Sequence, residues 1–290
     1  MPRQDLSSSF QPEALNLEDL ALRATAIVRE AALELLMPRF RNLEPQHVQS
    51  KRTNEDPHDV VTVVDHLMEQ RLSSDLRRLL PNAAVVGEEA CSADNQGLAA
   101  LGTQRLVWLI DPLDGTRNFV EGRSAFGTMV ALLAHGSAQL AVIYLPEPDA
   151  AYSAIHGGGA TLNGAPLRRT ASTVDRKLTG MLHTKFLRDN NYSGVLQGRA
   201  ASLDLLPIVG SAAVAYTDLA EGRCDFSFYA RLLPWDHAPG TLLLQESGGK
   251  VANLDGSPYN ATATRGLLLA ATSSRVWREV RAILAPEHHN

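Results

Sequence analysis

The residues best placed to do chemistry are Asp111 and Asp114, in the segment Asp111-Pro112-Leu113-Asp114-Gly115-Thr116. They follow Leu106-Val107-Trp108-Leu109-Ile110, an unbroken apolar run of the kind that forms a central strand and then stops. A carboxylate at the end of a buried strand is costly unless it is paired or bound to a cation. Here two stand close together with a φ-restricting proline between them. Such a bend can bring Asp111, Asp114 and the Leu113 carbonyl to one point, a set of hard oxygen donors suited to Mg²⁺. Gly115 and Thr116 would then open a helix whose free amides face an anion. Taken alone, the segment is better explained as an Asp-Pro turn followed by an Asp N-cap. Its neighbours change the balance.

Gly87-Glu88-Glu89 puts two more carboxylates at the end of the short strand Ala84-Val85-Val86, and Asp236 stands at the start of a helix. Each has a plain explanation: a solvated loop for Glu88 and Glu89, an N-cap for Asp236. Asp65 has one too, because Thr62-Val63-Val64-Asp65 fits a capping box. Together they make the constellation that a two-metal phosphoryl hydrolase needs, since four or five clustered carboxylates persist only when cations neutralise them. Other chemistries lack their signatures: there is no GxxxxGK[ST], GxGxxG or HExxH, and Ser247 is not in a nucleophile elbow. Two cysteines, Cys91 and Cys224, without CxxC spacing, give neither a disulfide framework nor a zinc motif and point to a reducing, cytoplasmic setting. A net charge of −5 gives no general attraction to nucleic acid or an anionic membrane, so a phosphorylated ligand requires a local reversal of sign.

The elements that must position these residues follow from periodicity. Leu20, Ala24, Ile27, Val28, Ala31 and Leu35 predict a helix over Leu17–Met37, stopped by Pro38, after a polar tail with no targeting segment. Val64, Leu67, Met68, Leu72, Leu76 and Leu79 predict a second helix ending at Pro81. Glu89 is expected to lead into a polar loop before the Leu106 strand. The stretch from Ser124 to Pro146 carries no charged residue after Arg123, but His135-Gly136-Ser137 divides it, which predicts a buried hairpin and no bilayer span. Gly157–Gly159 and Asn163-Gly164 punctuate a further pair of strands, the latter as a type I′ turn. From Lys177 onward short strands alternate with helices near Ala212–Glu221, Trp235–Glu246 and Arg275–Leu284, and His288-His289 reads as an exposed tail.

These motifs, in order and spacing, resemble the inositol monophosphatase family of magnesium-dependent, lithium-sensitive phosphatases. The likeness rests on Gly87-Glu88-Glu89, on Trp108 to Phe119, on Trp235 to Gly240 with Glu246 to Gly249, on Asp59 to Asp65, and on Gly159-Ala160 with Asn163-Gly164. It implies an α+β fold, a layered α-β-α-β-α sandwich: a flexible tail (1–14), an N-terminal α+β metal-binding lobe (15–150) and a C-terminal α/β substrate lobe (151–290) in one integrated fold. It also implies two or three Mg²⁺ per active site. One is held by Glu88, Asp111 and the Leu113 carbonyl, and the second by Asp111, Asp114 and Asp236. Asp65 and Thr116, with Glu89, would serve catalysis by positioning and deprotonating water. Substrate would be contacted by Leu113, Asp114, Gly115, Thr116, Gly210, Ser211, Ala212, Tyr229 and Asp236. A small phosphorylated metabolite is the implied partner, with no nucleic acid or membrane, and a homodimer is the implied assembly.

The sequence departs from the family pattern in four places. Tyr229 stands where the family often carries a glutamate that grips inositol hydroxyls, Ser124 where a proline is usual, and Pro239 where a small residue is usual. A lysine common in the loop before the Asp59 motif has no match in register, Lys51 being three residues too far upstream unless the loop is longer. The expected activity is Mg²⁺-dependent hydrolysis of a phosphorylated polyol, most simply myo-inositol 1-phosphate, for which Gly210-Ser211-Ala212-Ala213 matches the hydroxyl-contacting loop. Histidinol phosphate, fructose 1,6-bisphosphate and a 3′-phosphonucleotide are rival substrates, and an adaptor role in a transcription complex is the rival of a different kind.

Overall fold

The computed structural model describes residues 15–51, 60–93, 96–167, 169, 176–185, 187 and 190–285. The tail over 1–14, Asp59 and the His288-His289 pair lie outside the described residues. Helix α1 (Leu17–Ala31) starts at Asn16, whose side chain accepts from the Asp19 amide at 3.0 Å, and continues through a wider turn at Ala32–Leu36 to Met37. Strand β1 (Val48–Ser50) pairs antiparallel with β2 (Val60–Thr62), which leads straight into α2 (Val63–Leu79). After β3 (Ala84–Gly87) the expected polar loop is replaced by two short helices, α3 (Glu88–Ala93) and α4 (Gln96–Thr103). Strand β4 (Leu106–Asp114) does not stop at Asp111 but carries both aspartates, and α5 (Thr116–Val120) follows it.

The uncharged stretch is the hairpin of β5 (Gly127–Ala134) and β6 (Ser137–Leu145). Strands β7 (Ala150–Ile155), β8 (Gly159–Leu162) and β9 (Ala165–Pro166) complete a seven-stranded sheet of order β3-β4-β5-β6-β7-β8-β9, which therefore runs on past residue 150. Asn163 and Gly164 have φ of 50° and 78°, as a type I′ turn requires. The carboxylate of Glu246 accepts from the amides of Gly157 and Gly159 at 2.8 and 2.9 Å, so two separated motif segments meet in a purely structural bond.

The second sheet draws on β10 (Thr179–His183), β11 (Asp204–Leu205), β12 (Phe226–Arg231), β13 (Lys250–Asn253) and β14 (Arg265–Ala271), in the order β11-β10-β12-β14-β13. Between its strands lie α6 (Asn190–Arg199), α7 (Ala212–Glu221) and α8 (Pro234–Glu246), and α9 (Ser274–Leu284) closes the described chain. Three cores define the layers. Leu20, Val28, Met68 and Leu72 of the first two helices pack on Trp108, Ile110 and Val130 of the first sheet. Met129, Ile143 and Tyr152 on its opposite face meet α7 and α8, which in turn cover Tyr229, Leu268 and Ala270 of the second sheet. Phe226, Phe228 and Leu269 then pack outward on α6 and α9. The result is an α-β-α-β-α sandwich, and it explains the unbroken apolar runs of β4 and β5, which are covered on both faces. Among the described residues no helix is long and apolar enough to cross a membrane.

Candidate active site

Strand period is two, so Asp111 and Asp114 would face opposite sides of a regular strand. A bulge prevents this: the register of β4 against β5 shifts between them, with Asp111 opposite Met129 and Asp114 opposite Gly127. The Pro112 carbonyl, displaced from the ladder, accepts from Thr128 Oγ1 at 3.0 Å, and Asp111 Oδ1 accepts from the Leu113 amide at 3.1 Å. The strand then turns into α5 through Gly115 at φ 82°, where a Cβ would lie 2.7 Å from the Ala125 carbonyl oxygen. Only glycine satisfies both conditions.

Glu88 and Glu89 open α3 at the end of β3. Glu69 on α2, which the sequence did not single out, accepts from the amides of Glu89 and Ala90 at 2.7 and 2.9 Å and so caps that helix. A Cβ at Gly87 would meet the Glu69 carboxyl carbon at 2.2 Å, which accounts for the glycine of this motif. Lys51 reaches the same place: its Nζ donates to Glu88 Oε1 at 2.9 Å and to Glu89 Oε1 at 2.6 Å. The lysine that stands out of register in the sequence is thus delivered to the site from the end of β1. Burial opposes the charge on Lys51, but Glu88 and Glu89 outweigh it and raise its pKa.

The capping box and the catalytic alternative at Asp65 turn out to be compatible. Asp65 Oδ2 accepts from the Thr62 amide at 2.8 Å and Thr62 Oγ1 at 2.6 Å, while Thr116 Oγ1 donates to Asp65 Oδ1 at 2.9 Å. Burial raises the Asp65 pKa to about 6 against the pull of these bonds. Asp114 is bound just as firmly: it accepts from the Ser211 hydroxyl, from the Ala212 amide at 3.0 Å and from the Ala213 amide at 2.8 Å. It therefore anchors the start of α7 as well as facing the cluster, and Ser211 and Ala212 spend these donors on it. Asn118 adds a second tie, donating to the Ala125 and Val209 carbonyls at 2.6 and 2.8 Å.

Oxygens of Asp111, Asp114 and Asp236 lie within 4.8 Å of one another. Burial, and after it Glu88 and the neighbouring aspartates, hold Asp111 and Asp236 well above the usual carboxylate range. Burial likewise takes Asp114 to about 6 and, with Glu88 adding to it, Glu89 to about 8. Like charges concentrated this way call for a cation, and an all-oxygen set without His or Cys fits a hard one such as Mg²⁺. The cluster opens on a cavity of about 450 Å³ shared with Glu88, Gly115, Thr116 and Gly210 and lined also by His183, Lys185 and Arg231. Tyr229 is 4% exposed. It stacks between His183 and Tyr216, with ring centroids 4.6 and 5.6 Å away, and borders a smaller cavity of about 170 Å³ together with Ser211 and Ala212.

The sequence and the layered fold are matched by known proteins. The sequence profile of the inositol monophosphatase family matches residues 16–289. A relative from Bacillus subtilis (strain 168) named inositol-1-monophosphatase is 29% identical over 225 residues, covering 74% of this chain and 80% of its own. A Pseudomonas aeruginosa relative named Nus factor SuhB is 34% identical over 247 residues, covering 82% of this chain and 86% of its own. The solved inositol monophosphatase from Anabaena (Nostoc) sp. PCC 7120 superposes with a TM-score of 0.74 at 27% identity, covering 93% and 96% of the two chains. The chain belongs to the inositol monophosphatase family.

Proposed function

We propose that the chain is a Mg²⁺-dependent phosphomonoesterase that hydrolyses a small phosphorylated polyol, with myo-inositol 1-phosphate as the reference substrate. The observation that carries this reading is the convergence of Asp111, Asp114 and Asp236 beside Glu88 on one cavity. Glu88, Asp111 and the Leu113 carbonyl would hold one Mg²⁺, and Asp111, Asp114 and Asp236 the second. Bound there, Mg²⁺ neutralises phosphate oxygens and lowers the pKa of water. The chain itself supplies the proton path. Thr116 has one hydroxyl proton and two acceptors at 2.9 Å, Asp65 Oδ1 and the Leu113 carbonyl. When that proton points to Asp65, a lone pair of Thr116 Oγ1 is left to orient water for in-line attack, with Asp65 as the base behind it. Glu89, held against Lys51, provides a second carboxylate at the same edge. The Gly115 and Thr116 amides hold phosphate oxygens, and Gly210 and Tyr229 border the remainder of the ester.

The likeness to a protein named inositol-1-monophosphatase supports this reading. The reading also takes in a homodimer at work in a reducing cytoplasm, in keeping with Cys91 and Cys224, which are buried and outside any disulfide. A second reading, an adaptor in a transcription complex, is supported by the relative named Nus factor SuhB. The test is phosphate release with Mg²⁺ from myo-inositol 1-phosphate, histidinol phosphate, fructose 1,6-bisphosphate and a 3′-phosphonucleotide. Turnover that EDTA abolishes is expected. No release from any of the four would overturn the phosphatase reading in favour of the adaptor.

A further inference from the structure

Asp114 and Asp236 face the same cluster, but they are held in different ways. Asp114 accepts three hydrogen bonds from the start of α7. The carboxylate of Asp236 accepts none among the described residues, and only burial and neighbouring charges act on it. Its place is therefore set by the backbone that carries it, the first turn of α8. That turn is short of internal support. Its N-cap, Leu233, has no side chain to bond the free amides, and Pro239 brings no amide to the Trp235 carbonyl one turn before it. The two aspartates also push against each other whenever no cation lies between them.

A chain of three groups supplies the missing tie. Tyr216 Oη and His237 Nδ1 are 2.9 Å apart, and His237 Nε2 lies 2.9 Å from the Arg231 carbonyl oxygen. A carbonyl only accepts, so Nε2 carries the proton; burial keeps the ring neutral, which leaves Nδ1 to accept from the Tyr216 hydroxyl. The first bond joins α7 to α8, and the second joins α8 to the end of β12. Tyr216 stands on the helix whose start grips Asp114, and His237 is the residue after Asp236. Gly240 lets the two helices come this close. A Cβ there would lie 2.1 Å from Tyr216 Cδ2.

We propose that Tyr216 and His237 are positioning residues for the cation site that Asp114 and Asp236 share: by tying α7 to α8 they hold the two carboxylates at the separation a common Mg²⁺ needs, against their mutual repulsion. The proposal rests on the metal assignment of the phosphatase reading and adds to it two residues outside the ligand set. Without the tie the first turn of α8 occupies the binding geometry only part of the time. Affinity for the cation then falls by that fraction, while the loaded site is unchanged.

Calorimetric titration with Mg²⁺ alone tests it, with Asp236→Asn marking which part of the isotherm belongs to the shared site. Tyr216→Phe keeps the ring against Gly240 and removes only the hydroxyl. It should weaken the shared site by about three- to tenfold and leave the other site unchanged. His237→Leu, which loses both bonds, should weaken it by about tenfold or more, and His237→Gln, which again offers a donor and an acceptor, should recover part of the loss. In phosphate release the Mg²⁺ concentration for half-maximal rate should rise to match, while kcat at saturating Mg²⁺ and KM for the ester stay within about twofold. A lowered melting temperature with unchanged Mg²⁺ constants in Tyr216→Phe would reduce the pair to a stabilising contact and overturn the proposal, as would a change confined to KM for the ester. Tyr216→Phe decides the matter if His237→Leu does not fold. If no ester is turned over, the phosphatase reading fails and the titrations still decide: selective weakening of the shared site sustains the positioning role, and unchanged or absent Mg²⁺ binding refutes it.

Discussion

The two sides of the cavity draw on different sheets and are held by different forces. Asp111 and Asp114 come from the seven-stranded sheet and Glu88 from helix α3 at the end of its β3, and each is fixed nearby: Glu69 caps α3, a bulge aims β4, and three donors at the start of α7 grip Asp114. His183, Tyr229 and Arg231 come from the five-stranded sheet and are held by ring stacking and by the Tyr216–His237 chain. Carboxylates this close must be placed tightly, because the same groups repel when no cation separates them. The side drawn from the five-stranded sheet holds no such cluster of carboxylates among the described residues, and one of the four departures from the family pattern, Tyr229, falls there.

The sharpest way to break this contrast is to remove an acidic ligand. Asp236→Asn should abolish measurable turnover with little change in melting temperature. Asp114→Asn should abolish turnover and also destabilise by about 1–3 kcal/mol, because an amide nitrogen would face the donors at Ser211, Ala212 and Ala213. Near wild-type kcat at saturating Mg²⁺ in either variant would refute the metal assignment. Asp65→Asn comes next. A loss of about 10²–10⁴ in kcat is expected for a lost general base, together with about 1 kcal/mol for the weakened cap on α2. An unstable but fully active variant would leave Asp65 with the cap alone.

The same contrast decides how much could be read from the sequence. Local signals carried the acidic side. The proline and glycine around Asp111 and Asp114 marked the turn, the apolar run marked β4, and the predicted span Ala212–Glu221 for α7 coincides with the observed helix. What the sequence did not disclose depends on distant pairing. Glu69 sits among Met68 and Leu72 on a helix stripe with nothing to mark it as the cap of another helix. His183 enters the site only because β10 pairs in parallel with β12, an alignment set by packing between segments far apart in the chain. Helix α6 lacks the apolar periodicity that would reveal it.

A smaller effect concerns pH. Without metal, the folded pKa values of Asp111, Asp114, Asp236 and Glu89 lie above their unfolded values, those of Asp114 and Glu89 at about 6 and about 8. Their contribution to stability is fully present below the unfolded values near 4 and is lost as pH rises through 6 to 8. His183 and His237, lowered by burial to about 4 and about 3, act in the opposite sense, and their contribution is lost as pH falls below about 6.5. They are common to the metal-free and loaded protein, so the difference in melting temperature between Mg²⁺ and EDTA isolates the carboxylates. That difference should be larger at pH 8 than at pH 5.5 by a few degrees, at roughly 2–4 °C per kcal/mol. A difference that shrinks toward pH 8 would place the cation elsewhere.

The smallest expected effect lies at Tyr229. Its hydroxyl is buried and makes no hydrogen bond of normal geometry, and the neighbouring Ser227 hydroxyl is in the same condition. The ring, by contrast, makes three aromatic contacts, with His183, Tyr216 and His237. Tyr229→Phe keeps the ring and removes only the hydroxyl, so stability should change by less than about 0.5 kcal/mol, or rise slightly, because no bond is lost with it. If Tyr229 serves only to hold His183 and the end of β12, kcat/KM for every ester should stay within about twofold as well, since the stack is intact. A selective rise in KM for polyol esters, with melting temperature unchanged, would show that the hydroxyl reaches the substrate from the smaller cavity. Tyr229→Leu then measures the ring. Losing the stack should cost about 1–3 kcal/mol and loosen His183, read as a lowered melting temperature.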